Sequence, residues 1–359
     1  MKRIAPGLLL LWLLLPAVSQ AQWLSQQADI MGTRISVELW HDDPTLGELA
    51  IAAVFDEFKR LDEKLSPYKS DSELSLVNRM AAESAIDISS ELFHLLQESR
   101  KYAELTGGAF DITFASIGHQ YDYRTGQKPD QQRTRQTLPL IDYRHIELDP
   151  ERNRVRFLRK GVKIDLGGIA KGYAVDQGIA LLHKRAIEHA LISAGGDSRL
   201  IGDHRGRPWH IGIQAPRNKQ AMAAVLPLSD TAISTSGDYE RFFEADGVRY
   251  HHIITPQTGH SAKGVQSVTI LGANALHTDA LSTSIFVLGA EAGMALVDRL
   301  DDVEAIIIDQ QGALLTSAGL DSLDKQYRFW WGRAPPNRGR VDNVQVFLRP
   351  VGLVGFVLT

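Results

Sequence analysis

The segment "KIDLGGIAKGYAVDQ", residues 163–177, places an acid, a glycine pair and a lysine just before a run of helix-forming residues. Gly167 and Gly168 allow the backbone to approach a ligand closely, and a following helix offers free N–H groups to an anion. Lys171 adds positive charge. These residues can bind a phosphate, although their spacing matches neither a P-loop nor a dinucleotide-binding fingerprint. The alternative is a tight strand-to-helix turn with an exposed lysine.

A second segment, "TDALSTSIF" at residues 278–286, carries Asp279 and Thr283 four residues apart. On a helix this spacing puts both side chains on one face, about one turn apart. A carboxylate and a hydroxyl are hard oxygen ligands of the kind that Mg²⁺ accepts together with phosphate oxygens and water. Alternatively, Asp279 is a first-turn acid that complements the helix dipole.

The third segment, "RYHHIITPQTGH", places His251, His252 and His260 around a turn that contains Pro256 and Gly259. A zinc site is one interpretation, but no second cluster of Cys or His stands at ligand spacing. A histidine that acts as a general acid or contacts a phosphate is a second interpretation. A histidine that only stabilises the turn is the third.

The elements that must position these residues mix strands and helices without a regular βαβ rhythm, which predicts an α+β layered fold. "TRISVEL" alternates apolar and polar residues and is predicted to be the strand that opens the mature domain. A helix is predicted from about Leu49 to Leu65, and a second one begins at a Ser90 cap and stops at Gly107. Further strands are predicted within 145–149, 154–158, 189–197, 209–216, 267–272, 303–309 and 313–317, and further helices within 174–186 and 277–289.

The composition is that of a globular protein, with 44% hydrophobic and 23% charged residues among 359. Lys2 and Arg3 precede an apolar run that predicts a secretory signal cut after Ala21, and hence an exported, periplasmic protein. Without Lys2 and Arg3, the 39 basic residues fall to 37 against 43 acidic ones, a net charge of −6 that argues against nucleic acid as a partner. The chain has no cysteine, so it has no disulfide, no thiol nucleophile and no lipid-anchored cysteine at its start.

The predicted organisation is a signal peptide at 1–21, one domain at 22–325 and a tail of unknown role at 326–359.

Several further motifs contain small and polar residues at turns, and Tyr68 in one of them can stack on a planar ring. Each motif is weak alone, but together and in order they resemble the ApbE family of FAD:protein FMN transferases from about Met31 to Leu320. The motifs that carry the resemblance are "MGT" at 31–33, "SPYKSDSELSLVN" at 66–78, "TGGAFDIT" at 106–113, "KIDLGGIAKGYAVD" at 163–176, "SAGGD" at 193–197, "TSGDYERFF" at 235–243, "YHHIITPQTG" at 250–259 and "TDALST" at 278–283.

The resemblance implies a T-fold-like α+β domain, FAD as the donor substrate and Mg²⁺ as the metal. It implies transfer of FMN to a threonine hydroxyl of a target flavoprotein, with release of AMP. The usual acceptors are subunits of respiratory or redox chains, which can bring the enzyme close to a membrane.

The resemblance also implies roles for individual residues. Asp279 and Thr283 match the side-chain metal ligands, and the backbone carbonyl of Gly168 or Ala170 would complete the protein's share of the ligands. His252 and Asp279 are the candidates for the base that activates the acceptor hydroxyl. The residues implied to line the flavin, adenosine or phosphate sites are Met31, Tyr68, Ser72, Glu73, Asp111, Lys171, Asp197 and His252.

One position departs from the family pattern. Thr255 stands where the family usually has an aspartate before the proline, so a carboxylate that would assist acid–base chemistry or orient His252 is missing. If that aspartate only caps the turn, Thr255 can make a weaker version of the same bond.

Two other functions compete with flavin transfer. With water in place of the acceptor hydroxyl, the same site would be a pyrophosphatase that splits FAD into FMN and AMP. A non-enzymatic protein that carries FAD or assists flavoprotein assembly is the other alternative, although it would have no need for the two metal-ligand matches in "TDALST".

Overall fold

The computed structural model describes residues 22–320 in full, together with the backbone of Trp330–Trp331 and Phe356–Leu358. The predicted signal peptide and most of the predicted tail lie outside the described residues. In chain order the strands are β1 (Gln22–Ile30), β2 (Thr33–His41), β3 (Ile86–Asp87), β4 (Ile146–Asp149), β5 (Arg154–Phe157), β6 (Ala190–Ala194), β7 (Asp197–Ile201), β8 (Trp209–Ala215), β9 (Asn218–Leu228), β10 (Ala232–Gly237), β11 (Phe242–Ala245), β12 (Val248–His251), β13 (Ile254–Thr255), β14 (His260–Ser261), β15 (Val265–Gly272), β16 (Glu304–Asp309), β17 (Leu314–Thr316), β18 (Trp330–Trp331) and β19 (Phe356–Leu358).

The helices lie between these strands. They are α1 (Pro44–Leu65), α2 (Glu73–Met80), α3 (Ser90–Leu105), α4 (Ala115–Gly118), α5 (Gln131–Thr137), α6 (Ala170–Lys184), α7 (Ala275–Leu288) and α8 (Ala290–Val297), and short 3₁₀ turns occupy Ile112–Phe114, Leu138–Leu140 and Tyr143–His145. Among the described residues, no helix combines the length and the apolar character needed to cross a membrane.

An eight-stranded sheet forms the centre of the fold, in the order β1-β2-β6-β7-β10-β15-β16-β17. Every pairing in it is antiparallel. A second sheet contains β8 and β9, and the backbones of β18 and β19 pair with it at either side. The predicted α+β class is confirmed.

Both faces of the central sheet are buried, because successive side chains of a strand point to opposite faces. Ile192, Ile270 and Ile307 belong to a core cluster that also contains the apolar residues of α1, α6 and α7. Their chain neighbours Leu191 and Leu271 belong to a second cluster with residues of β8 and β9. The fold is therefore three layers deep, with helices on one face and a small sheet on the other.

The predicted opening strand is β2, but β1 precedes it and pairs with it in a hairpin from Ile30↔Thr33 onward. The prediction missed β1 because its residues are mostly polar or exposed and show no buried alternation. Met31 and Gly32 form the two-residue turn with φ of 54° and 67°, the left-handed backbone that tight hairpins require.

Two predicted helix starts were also wrong. Helix α1 begins at Pro44, since Asp43 caps it by accepting hydrogen bonds from the backbone N–H groups of Thr45 and Leu46. Helix α3 is capped by Ser89 and not by Ser90, because the Ser89 hydroxyl accepts the Leu92 N–H at 3.2 Å.

A partly buried ionic network joins α1, α3 and α6 at Glu91. Its carboxylate accepts two bonds from the Arg60 guanidinium at 2.8 and 2.7 Å, one from Lys64 at 2.8 Å and one from the Tyr173 hydroxyl at 3.0 Å. The Arg60 hydrogen bonds outweigh burial and, with Lys64 and Tyr173, lower the pKa of Glu91 from 4.5 to about 2. The ionised form of Glu91 therefore stabilises the fold.

We expect Glu91→Gln to lower the free energy of unfolding at pH 7 by about 2 kcal/mol, less than the full pKa shift implies because solvent screens the partly exposed partners. A lowered carboxyl pKa stabilises fully above the unfolded-state value near 4.5, and this contribution disappears as the pH falls through about 2. The difference between wild type and variant in urea denaturation should shrink across that window. Glu98→Gln is the control, because Glu98 pairs with the exposed Lys101 on the same helix and such pairs contribute little. A constant difference from pH 7 to pH 2 would contradict the prediction.

Candidate active site

Helices α6 and α7 are in close contact at Gly172. A Cβ atom at this position would lie 2.1 Å from the Ala275 carbonyl oxygen and 2.8 Å from the Asp279 Cβ, so only glycine fits. The Gly172 N–H donates to Asp279 Oδ2 at 3.0 Å. The contact therefore fixes the Asp279 carboxylate against the first turn of α6.

Lys171, Asp197 and Asp279 form a cluster at this contact. The Lys171 ammonium lies 2.7 Å from Asp197 Oδ2 and 3.4 Å from Asp279 Oδ1, and it also donates to the Gly167 carbonyl at 3.3 Å. Both carboxylates are almost fully buried, whereas the Lys171 side chain is 26% exposed. The alternative of a turn with an exposed lysine is therefore wrong, because Lys171 is held between two acids.

Asp279 does not complement the N-terminus of α7. That end of the helix is satisfied by Asn274, which accepts the His277 N–H at 2.9 Å, and by Asp176, which accepts those of Ala275 and Leu276. Asp279 follows these residues in the chain and is directed at α6. The helix-dipole interpretation of Asp279 is therefore not the arrangement that the structure has.

Burial and the charges within the cluster together set its protonation. Burial, followed by the nearby charge of Asp197, raises the pKa of Asp279 to about 7, against the opposing effects of Lys171 and the Gly172 N–H. Burial alone would lower the pKa of Lys171, but Asp197 and Asp279 together raise it above its ordinary value. Lys171 is therefore charged at neutral pH, and the carboxylate pair has strong affinity for a positive partner.

Thr283 lies beside the glycine pair at the start of α6. A Cβ atom on Gly168 would be 3.2 Å from Thr283 Oγ1 and 3.2 Å from the ring of Phe110. In a regular helix the Gly172 N–H would donate to the Gly168 carbonyl four residues earlier. Here it donates to Asp279 instead, so the Gly168 carbonyl accepts no hydrogen bond among the described residues. Ala170 is the first residue of α6. Of the two predicted backbone ligands, Gly168 is the one next to the Thr283 hydroxyl.

These residues fit a hard divalent cation. They offer a carboxylate (Asp279), a hydroxyl (Thr283) and a carbonyl without a hydrogen-bond partner (Gly168), all of them oxygen donors. No group of three or more His, Cys, Asp or Glu in residues 22–320 could hold a metal ion. A cation here would therefore need further oxygen atoms from water or from a phosphorylated substrate, which is the usual arrangement for Mg²⁺.

The three histidines differ in their surroundings. His251 is buried, with Nδ1 accepting the Ile253 N–H and Nε2 bonded to the Ala262 carbonyl at 2.9 Å, so it stabilises the turn. His252 has a buried Nδ1 with no hydrogen-bond partner among the described residues. His260 is exposed. They do not form the zinc site that was one interpretation of this segment.

His252 is a neutral imidazole beside the positive charges of the site. Burial, followed by the charges of His251, Arg241 and Lys171, lowers its pKa from 6.5 to about 3. Its backbone N–H donates to the Arg241 carbonyl at 3.1 Å. Nδ1 is therefore a buried ring nitrogen whose hydrogen-bonding capacity is unused among the described residues.

Thr255 acts on the turn through its backbone. Its carbonyl accepts the N–H groups of Thr258 and Gly259 at 3.2 and 2.9 Å. Its hydroxyl makes no hydrogen bond to the described residues. The structure therefore gives Thr255 no contact that orients His252.

Met31 and Tyr68 lie at the exposed side of the site. The Arg241 guanidinium donates to the Gly32 carbonyl at 3.0 Å and so joins the Met31–Gly32 turn to the segment that carries His252. Tyr68 is 84% exposed, which leaves its ring free to stack on a ligand. Partial desolvation of its hydroxyl, followed by the charge of Asp165, raises its pKa.

Ser72, Glu73 and Asp111 have local hydrogen-bonding roles. Ser72 caps α2 by accepting the Ser75 N–H, and Glu73 binds both the N–H and the hydroxyl of Ser89. Asp111 accepts three bonds, two from Thr113 and one from the Tyr143 N–H, and burial raises its pKa. These side chains shape the loops around the site, and their predicted contact with the flavin or adenosine stays a prediction.

Sequence reasoning missed two charged residues near the cluster. Asp165 accepts the Gly167 N–H at 2.7 Å, and burial raises its pKa against the charges of Arg241 and Lys171. Arg241 connects three segments of the site. Asp165 is the acid of the glycine-rich segment and Arg241 lies in "TSGDYERFF", so both stood in motifs that were already recognised.

An open cavity of about 450 Å³ lies between α3, α6 and the start of α7. None of its lining residues belongs to the Lys171–Asp279 cluster, so it is separate from the candidate active site. They are His94, Glu98, Tyr102, Tyr173, Asp176, Gln177, Asn274, Leu276 and His277.

Comparisons with known proteins show the family of this chain. Residues 31–307 match the ApbE family. A protein named FAD:protein FMN transferase from Treponema pallidum (strain Nichols) is 32% identical over 310 residues, covering 81% of this chain and 86% of the relative. One of the same name from Vibrio cholerae serotype O1 is 33% identical over 247 residues, covering 67% and 73%. The crystal structure of an ApbE protein from Thermotoga maritima superposes with a TM-score of 0.77 at 33% identity, covering 84% of this chain and 99% of that one.

The class that the fold and the site define is therefore a flavin-transferring enzyme built on an α+β domain. The chain belongs to the ApbE family. The resemblance drawn from the sequence motifs is confirmed.

Proposed function

We propose that this protein transfers FMN from FAD to a threonine hydroxyl of an acceptor flavoprotein, with Mg²⁺ bound and AMP released. The observation that carries the proposal is the cluster of Lys171, Asp197 and Asp279 beside the glycine pair at the start of α6. A lysine and the N-terminus of a helix suit a pyrophosphate, and a buried carboxylate with a hydroxyl and a free carbonyl suits the cation that accompanies it.

Asp279, Thr283 and the Gly168 carbonyl would hold the cation. Bound there, Mg²⁺ would neutralise charge on the pyrophosphate of FAD. Lys171 would add its own positive charge at the same place, and Asp197 keeps the ammonium in position at 2.7 Å. Tyr68 and the Met31–Gly32 turn lie at the exposed side, where a planar ring can stack.

In the reaction a new bond forms between the acceptor oxygen and the FMN-side phosphorus. The bond from that phosphorus to the oxygen of the AMP moiety breaks, and AMP leaves with the electron pair. The hydroxyl proton needs a base. Asp279 is already bonded to Gly172 and Lys171, whereas Nδ1 of His252 has no partner, so His252 is the better candidate. A pKa of about 3 makes it a weak base, and anionic phosphates placed nearby would raise that value.

The surroundings of the reaction are also part of the proposal. The basic and apolar start of the chain supports export to the periplasm. The acceptor would be a flavoprotein of a redox or respiratory complex that presents a threonine on its surface.

The test incubates the purified chain with FAD and Mg²⁺, with and without an acceptor flavoprotein, and measures AMP and the mass of the acceptor. We expect the acceptor to gain one FMN and one AMP to be released for each FMN transferred. EDTA should stop both, and an acceptor with Thr→Ala at the target should stay unlabelled. AMP release without an acceptor, at the same rate, would indicate the pyrophosphatase instead. Bound FAD without AMP in either tube would indicate a flavin carrier.

A further inference from the structure

A row of hydroxyl groups connects β10 to α7 behind the candidate cation site. Ser236 Oγ lies 2.8 Å from Ser282 Oγ and 3.4 Å from Thr283 Oγ1, and Ser282 Oγ lies 3.0 Å from the carbonyl oxygen of Asp279. Ser282 is 1% exposed, so water does not compete for its bonds. No other hydrogen bond to the Thr283 hydroxyl is present among the described residues.

The donor and the acceptor in each of these hydrogen bonds follow from the number of protons that each group carries. A hydroxyl has one proton to donate, and a carbonyl oxygen can only accept. For all three contacts to be hydrogen bonds, Ser282 has to donate to the Asp279 carbonyl, which leaves Ser236 as the donor to Ser282. Since the Ser236 proton is then used, Thr283 must be the donor in its contact with Ser236.

This direction matters for a metal ligand. A threonine hydroxyl binds a cation through an oxygen lone pair, so its proton has to be directed elsewhere. The oxygen of Thr283 lies 3.4 Å from Ser236 Oγ, and a Cβ on Gly168 would be only 3.2 Å from it. With the proton directed at Ser236, the lone pairs of Thr283 are left for a cation.

We propose that Ser236, oriented by Ser282, is a positioning residue that directs the Thr283 proton away from the site and so makes the Thr283 oxygen a ligand for a divalent cation. The proposal rests on the proposed function, since that function places the cation at Asp279 and Thr283. Outer partners that orient a ligand typically change metal affinity by about 10- to 100-fold. The Ser236–Thr283 contact is long for a hydroxyl pair, so the lower end of that range applies.

The chain contains a matched control for this pair. Ser234, two residues earlier on β10, lies 2.8 Å from Thr278 Oγ1, and Thr278 bonds the Ala275 carbonyl at 3.2 Å. This pair joins the same two elements by the same chemistry, but neither residue bonds Thr283. Ser234→Ala therefore removes an equivalent hydrogen bond without changing the proton of Thr283.

The experiment measures Mn²⁺ binding to the purified full chain in the presence of FAD, from the electron paramagnetic resonance signal of free Mn²⁺. We expect Ser236→Ala to weaken Mn²⁺ binding about tenfold. Ser236→Thr, which keeps the hydroxyl, should restore most of the affinity, and Ser234→Ala should leave it unchanged. Thermal unfolding of the variants shows that each is folded and that the two alanine variants lose comparable stability.

Two results would overturn the role of Ser236: unchanged Mn²⁺ affinity in Ser236→Ala, or an equal loss in Ser234→Ala, which would be an effect of packing between β10 and α7.

Failure of the proposed function is visible separately. A wild-type chain that binds no Mn²⁺, or an Asp279→Asn variant that binds it as tightly as wild type, would remove the cation from this site. Neither of those results depends on any variant of Ser236.

Discussion

Replacing Asp279 by asparagine is expected to lower the rate of FMN transfer at least about 100-fold, the usual cost of removing a group that stabilises charge in a transition state. The amide keeps the shape of the side chain and an oxygen that can accept the Gly172 N–H, now 3.0 Å from Asp279 Oδ2. What it loses is the negative charge that pairs with Lys171 and that a cation requires. The measurement is the initial rate of AMP release together with the mass of the acceptor.

Asp176→Asn is the control for this variant. Asp176 is also a carboxylate at the contact of α6 and α7, but it bonds Arg199 and the start of α7 and none of the residues of the cluster. We expect it to lower the melting temperature while the rate at saturating FAD stays close to that of wild type. The proposed role of Asp279 fails if its asparagine variant retains more than about a tenth of the wild-type rate, since the charge would then contribute less than 1.4 kcal/mol.

The second large effect is expected for Gly172→Ala. The new methyl group would meet the backbone of Ala275 at 2.1 Å from its oxygen and 2.6 Å from its carbon, and backbone cannot rotate away as a side chain can. Helices α6 and α7 would have to separate, and the bond from the Gly172 N–H to Asp279 would be lost. We expect a loss of about 3 kcal/mol in the free energy of unfolding by urea denaturation, together with loss of flavin transfer.

The control is Gly178→Ala on the same helix. A Cβ at Gly178 would also be close to a neighbour, 2.8 Å from Ile192 Cδ1, but that atom is the end of a flexible side chain. The higher helix propensity of alanine, worth about 1 kcal/mol, offsets part of the cost of moving it. A Gly172→Ala variant as stable as Gly178→Ala would show that the two helices do not depend on this close approach.

The elements that could be predicted from the sequence are those with a local pattern. The strand at "TRISVEL" and the buried face of α1 at Val54, Phe58, Leu61 and Leu65 were confirmed, because each repeats at the period of its own secondary structure. Strand β1 has no such pattern, since it is an edge strand with most side chains exposed. The start of α1 was missed by a few residues because its cap, Asp43, lies outside the apolar periodicity.

The features of the candidate site also divide into those that the sequence could predict and those that it could not. The spacing of Asp279 and Thr283 already put both side chains on one helix face, and the glycine pair already indicated a close approach of the backbone. The sequence could not tell whether Lys171 was exposed, whether His251 or His252 was the free histidine, or that Asp165 and Arg241 lie near the cluster. The direction of the hydrogen bonds through Ser236 could not be predicted from the sequence either.

By itself, then, the sequence determined the family, the α+β class and the residue types available for binding a phosphate and a cation. Only the tertiary structure decided which of them meet: Lys171 with Asp279 across 108 positions of the chain, Gly172 against Ala275, and Ser236 behind Thr283. The physical reason is the distance along the chain over which each effect acts. Periodicity and capping act over a few neighbouring residues, whereas burial, pKa shifts and the direction of a hydroxyl proton depend on partners that folding brings together from distant parts of the chain.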